Sequence, residues 1–103
     1  SPDTIRDFLN HAVNVNADAI ICPNDVFALS ALDALQKDGK EIKVFSSDRR
    51  YVHYPFLPDF DGNLIDYEEE AKIATNILVA QARQTDFSPQ QVSIPVKIYR
   101  AHK

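Results

Sequence analysis

The sequence predicts an α/β fold, a parallel-type sheet flanked by helices in three layers. Three observations predict it. Stretches with a 3.6-residue apolar period alternate with short strand-like runs, in the order helix, strand, helix, strand, loop, helix, strand. The first strand-like run is almost continuously apolar, which suits a strand covered on both faces of a parallel sheet. The composition, 45% hydrophobic and 25% charged, is that of an ordinary globular domain. At 103 residues the expectation is a single domain over residues 1–103, able to bury a core without disulfides or metals.

Each element has a local reason. Ser1-Pro2-Asp3 is a helix start: a hydroxyl cap, a proline in the first turn and an acid at the positive end of the dipole. Ile5, Phe8, Leu9, Ala12 and Val13 then form one stripe, and Asn14 to Asn16 end the helix. Ala17 to Cys22 is the first strand, stopped by Pro23. Asn24 or Asp25 caps a second helix with Ala28, Leu29, Leu32 and Leu35 on one side, closed by Gly39 in the position that favours a left-handed backbone. Ile42 to Phe45 is the second strand, followed by Ser46-Ser47-Asp48 and an aromatic, proline-containing loop from Arg49 to Pro58. Phe60 to Leu64 is a brief extended segment around the turn signal Asp61-Gly62. Asp66, with Glu69 three residues on, resembles a capping box for a third helix reaching about Arg83. Ser88-Pro89 marks a turn, and the alternation of Val92, Ile94, Val96 and Ile98 with polar neighbours predicts a strand with one solvated face. Pro95 cannot donate to a ladder, so that strand is expected at an edge or with a bulge.

Several function classes are disfavoured. The net charge is -4, and only Arg49-Arg50 breaks the absence of basic runs, so direct DNA binding by this chain is not expected. The single cysteine, Cys22, reads as a small buried hydrophobe in a reducing, cytoplasmic protein. No stretch has the length or apolarity to span a bilayer, and no signal peptide is seen. His11, His53 and His102 show no metal-ligand spacing, so no metal and no cofactor is expected. With only Gly39 and Gly62 there is no phosphate-binding glycine loop, and no Gly-x-Ser-x-Gly elbow is present. No paired base and nucleophile is visible, and the expectation is a protein that is not an enzyme. The run Glu68-Glu69-Glu70 reads as a solvated helix start.

Ligands of open α/β sheets bind beyond the carboxyl ends of the strands. Asn24-Asp25 follows the first strand and Asp48 the second. Asn24 supplies donors and an acceptor, and Asp48 two acceptors for hydroxyls, the groups that read a polyol or sugar. Helix capping by Asn24 and Asp25, and a turn at Asp48, are the competing structural readings. Tyr51, His53, Tyr54 and Phe56 form an aromatic cluster that stacks on a sugar, joins a subunit interface or packs the loop.

These residues also carry a family likeness. Ala17 to Leu32 resembles the pattern D-A-I-x-x-x-N-D-x-x-A-x-G-x-x of the lactose/galactose-repressor family, with Asn24-Asp25 as its most specific part. Gly39, Ile42 and Val44 to Asp48 look like a shortened form of the stretch G-x-x-I-P-x-D-I-x-V-x-G-x-D-D that follows it. The helix Glu68 to Leu78 and the strand Val92 to Arg100 resemble the family's later elements in the same order.

The resemblance implies half of a periplasmic-binding-protein-like (type I) fold: a partial C-terminal lobe of the effector-binding and dimerisation domain of a bacterial transcriptional regulator. In that setting a small effector, a sugar or sugar phosphate, binds between two lobes. Its binding is coupled to DNA binding by a separate N-terminal domain. Asn24 and Asp48 match effector-contacting positions, and Asp25 a more structural acid. The chain departs from the pattern at Ser46, Arg49 and Ile65. Arg49 and Arg50, read as a rim, favour an anionic effector, and Tyr51 completes the expected ligand set with Asn24, Asp25, Asp48 and Arg49. A homodimer without membrane contact is expected. The alternative is a fragment of a sugar-binding protein of an ABC transporter, which has the same fold.

Overall fold

A computed structural model of the chain describes residues 2–52, 54, 56–83 and 89–102. The Ser1 cap, His53 and Ser88 lie outside the described residues. The elements are α1 (Pro2–Asn14), β1 (Ala19–Cys22), α2 (Asp25–Lys37), β2 (Lys43–Ser46), β3 (Asp61–Leu64), α3 (Tyr67–Ala82) and β4 (Lys97–Tyr99). They fall into two compact units: Ser1–Leu64 with Lys97–Lys103, and Ile65–Val96.

In the first unit both helices end in the same way. After α1, Asn16 adopts φ 55°, its N–H donates to the Val13 carbonyl and that of Ala17 to the Ala12 carbonyl. After α2, Gly39 adopts φ 65°, its N–H donates to Gln36 and that of Lys40 to Leu35. The left-handed residue turns the chain so that its own N–H and that of the next residue satisfy carbonyls the helix leaves open.

The sheet has the order β1-β2-β3-β4. Strands β1, β2 and β3 are parallel, with Ile20 opposite Val44, Cys22 opposite Ser46, and Ser46 opposite Gly62. These three strands agree with the expected parallel-type sheet, but β4 departs from it and runs antiparallel to β3, with Gly62 opposite Tyr99. The fold is therefore mixed α/β. β4 is also shorter than the alternating run from Val92 suggests. Pairing starts only at Lys97, beyond Pro95, which has no N–H to give to a ladder. Its place at the edge of the sheet agrees with that argument. Asp61-Gly62 sits inside β3 rather than in a turn.

The core joins Leu9 and Ala12 of α1, Ile20 and Cys22 of β1, Ala28, Ala31 and Leu35 of α2, Val44 of β2, and Phe60. Both helices thus meet the same face of the sheet. Because strand side chains alternate between faces, Ala19 and Ile21 point away from it, and Ile21 remains 69% exposed. The expectation that β1 is buried on both faces is corrected: its apolar run reads as two-sided burial, but only one side is covered. Of the expected three layers, sheet and α1–α2 layer are established within this unit.

In the second unit, α3 is capped by Asp66, whose carboxylate accepts from the Glu69 N–H at 2.9 Å. None of its residues is buried. Among the described residues, no helix is long and apolar enough to cross a membrane.

Candidate functional site at the strand ends

Pro23 breaks β1 and leaves Asn24 extended (φ -156°, ψ 176°), where its Oδ1 caps α2 by accepting from the Phe27 N–H at 2.9 Å. Asp25, the first helical residue, turns inward. Ser46 ends β2, and its hydroxyl accepts from the Asp48 N–H at 3.3 Å, which fixes the turn that follows. The two strand ends therefore face one cleft of about 240 Å³ lined by Asn24, Asp25, Val26, Asp48, Arg50 and Tyr51.

Asp25 is the centre of this wall. It is 2% exposed. Its Oδ2 accepts from the N–H of Arg50 at 2.6 Å, the N–H of Tyr51 at 2.8 Å and Nη1 of Arg49 at 3.1 Å. Its Oδ1 is buried with no hydrogen-bond partner. Burial alone pushes this carboxyl upward. The N–H of Tyr51, the nearby Ser46 hydroxyl, the N–H of Arg50 and the Arg49 charge outweigh it and hold the group below the usual carboxylate range.

Arg49 does not stand at the rim where the sequence placed it. It is 3% exposed and bonds Asp25, the Phe60 carbonyl through Nε at 3.1 Å, and Asp59 through Nη2 at 3.2 Å. The guanidinium lies 3.7 Å above the centre of the Phe60 ring. It is held by carboxylates and an aromatic face, as a buried guanidinium must be. Gly62 makes room for it, since a Cβ there would meet both Arg49 Cβ and the Ser46 carbonyl at 2.7 Å.

The network continues away from the cleft. Asp59 also accepts from the Tyr99 hydroxyl at 2.9 Å and the His102 N–H at 2.8 Å, and Asp61 accepts from the Ala101 N–H at 2.7 Å. Burial raises the Asp59 carboxyl, but His102, Tyr99 and Arg49 lower it further, below its usual range. Tyr99 is pushed up by burial and by the adjoining Asp59.

Of the five residues singled out from the sequence, Asn24, Asp25, Asp48 and Tyr51 line the cleft and Arg49 lies behind it. Arg50 takes the exposed position instead, with its Nε 3.1 Å from Asp48 Oδ2. Sequence reasoning missed the roles of Asp59, Gly62 and Tyr99. The available signal was a glycine directly after Asp59-Phe60-Asp61, in a segment that follows two adjacent arginines able to pair with those acids.

A larger hollow of about 960 Å³ lies at the opposite ends of the strands, among Asp18, Leu29, Leu32, Ile42, Leu57 and Pro58. It lacks convergent buried polar groups, so the smaller cleft is the better site for recognition. Among the described residues, no three His, Cys, Asp or Glu side chains gather as metal ligands. Neither a search of protein-family models nor one of curated proteins finds a match to this chain.

Proposed function

We propose that the chain is the C-terminal lobe of the effector-binding domain of a cytoplasmic, non-catalytic sugar-responsive transcriptional regulator of the lactose/galactose-repressor type. The observation that carries this reading is the convergence of Asn24, Asp25 and Asp48 on one cleft at the ends of adjacent parallel strands. Asn24, exposed, and Asp48, half-buried, stand on rigid element ends and offer amide donors and carboxylate acceptors to sugar hydroxyls, while buried Asp25 holds the wall behind them through the Arg50 and Tyr51 N–H groups. In this reading a second lobe closes over the effector, a separate head binds DNA, and the regulator acts as a homodimer.

Arg50 is the cation that lines the cleft, so it, not Arg49, selects for a phosphorylated sugar. The substitution Arg50→Ala is expected to weaken sugar-phosphate binding about tenfold, a loss of ~1.4 kcal/mol, and to leave neutral sugars unaffected in calorimetric titrations. Equal affinity of wild type and variant for sugar phosphates removes that selectivity.

A thermal-shift screen of the full-length protein against sugars and sugar phosphates tests the reading. A ligand at a hundred times its Kd stabilises the folded state by about 2.7 kcal/mol, enough to raise Tm by several degrees. Silence from both classes would remove the sensor assignment.

A further inference from the structure

Resting on the sugar-sensing reading, we propose that the aromatic residues of the β2–β3 loop form a second subsite, so that the ligand is at least a disaccharide rather than a single ring. Tyr51 belongs to the cleft wall. From it a row of rings leads outward: Tyr51 and Tyr54 meet edge to face at 5.6 Å, and Tyr54 and Phe56 do so again at 5.6 Å.

The row is held in place. The Tyr54 N–H donates to the Tyr51 carbonyl and the Leu57 N–H to the Tyr54 carbonyl, while the Tyr51 N–H is fixed to buried Asp25. Yet the rings point outward. Tyr51 is 39%, Tyr54 49% and Phe56 76% exposed. Loop packing, the competing explanation, requires rings turned into the protein. A contiguous exposed aromatic patch beside a polar cleft marks a binding surface. The pairing of polar groups in the cleft with exposed rings outside it fits a saccharide chain. One sugar ring meets Asn24 and Asp48 in the cleft, and the next lays its apolar C–H face on Tyr54 or Phe56.

The experiment compares monosaccharides (glucose, galactose, ribose) with disaccharides (maltose, cellobiose, lactose) on the full-length protein, by saturation-transfer NMR and calorimetry. The best disaccharide is expected to bind about tenfold more tightly than the best monosaccharide, with saturation transferred from aromatic protons to its second ring. Phe56→Ala and Tyr54→Ala should each reduce disaccharide affinity about three- to tenfold, the worth of one aromatic contact. Both should leave monosaccharide affinity and Tm unchanged, and Phe56→Trp should restore the disaccharide. Equal affinity for both sugar lengths, with no effect of Phe56→Ala, overturns the second subsite and leaves the cleft as a monosaccharide site. No binding by any of these sugars overturns the sugar-sensing reading, and the subsite with it.

Discussion

At the scale of single residues, the chain invests its buried charge in one place. Asp25 and Arg49, both 2% exposed at the side chain, stand back to back with the cleft on one side and Asp59 on the other. Removing one member of a buried pair strands the other. Asp25→Ala is therefore expected to destabilise the fold by about 3–5 kcal/mol in urea denaturation, and Arg49→Ala to report folding rather than ligand affinity. A double replacement of the two by apolar residues should cost less than either single change, since no bare charge is left. The pair also sets an acid limit. A carboxyl held below its unfolded value, near 3.9, stabilises the fold at pH above that value. That contribution is lost as pH falls through the lower folded value. Asp25 and Asp59 both behave this way, so Tm should be flat near neutrality and fall below about pH 4. In Asp25→Asn the fall should be shallower, and an unaltered acid slope in that variant would assign the effect to Asp59. Which arginine of Arg49-Arg50 turns inward was not legible in the sequence. Adjacent residues of one type differ only in the backbone direction each is given, and that direction comes from the Arg49 N–H bonding to the Asn63 carbonyl at 2.8 Å.

At the scale of elements, the two glycines make opposite tests. Gly39 has nothing within 4 Å of an added Cβ but sits at φ 65°, so Gly39→Ala should cost ~1–2 kcal/mol from the left-handed backbone alone. Gly62 has no such conformation, and its substitution fails on space: the added carbon meets a backbone carbonyl and the Arg49 stem. Thermal melts should show Gly62→Ala as the more damaging, because a carbonyl cannot move aside without shifting β2. The helices were readable because caps and apolar stripes are local: α1 ends at Asn14 and α2 is closed by Gly39 much as their residues indicate. The strands were readable as strands but not in their direction or burial. Whether β4 runs with or against β3 depends on partners more than thirty residues away. Whether Ile21 is covered depends on which face α1 and α2 choose. Asn24 and Asp48 were legible for the same local reason as the caps, since each follows directly on a strand end.

At the scale of the whole molecule, burial is uneven. The first unit holds the described core and the charged network, whereas α3, in the second, has no buried residue. Hydrogen exchange should find the amides of β1, β2 and α2 the slowest and those of α3 among the fastest. Slow exchange throughout α3 would contradict that ordering. The thiol of Cys22 offers a further vantage point. It is fully enclosed between sheet and helices, and burial raises its pKa, which further suppresses the thiolate. A disulfide reagent added to native protein must therefore wait for the sheet and its two helices to part. With no other sulfhydryl in the chain to react first, the rate of that single derivatisation is a clock, supplied by nature, for how often the interior breathes.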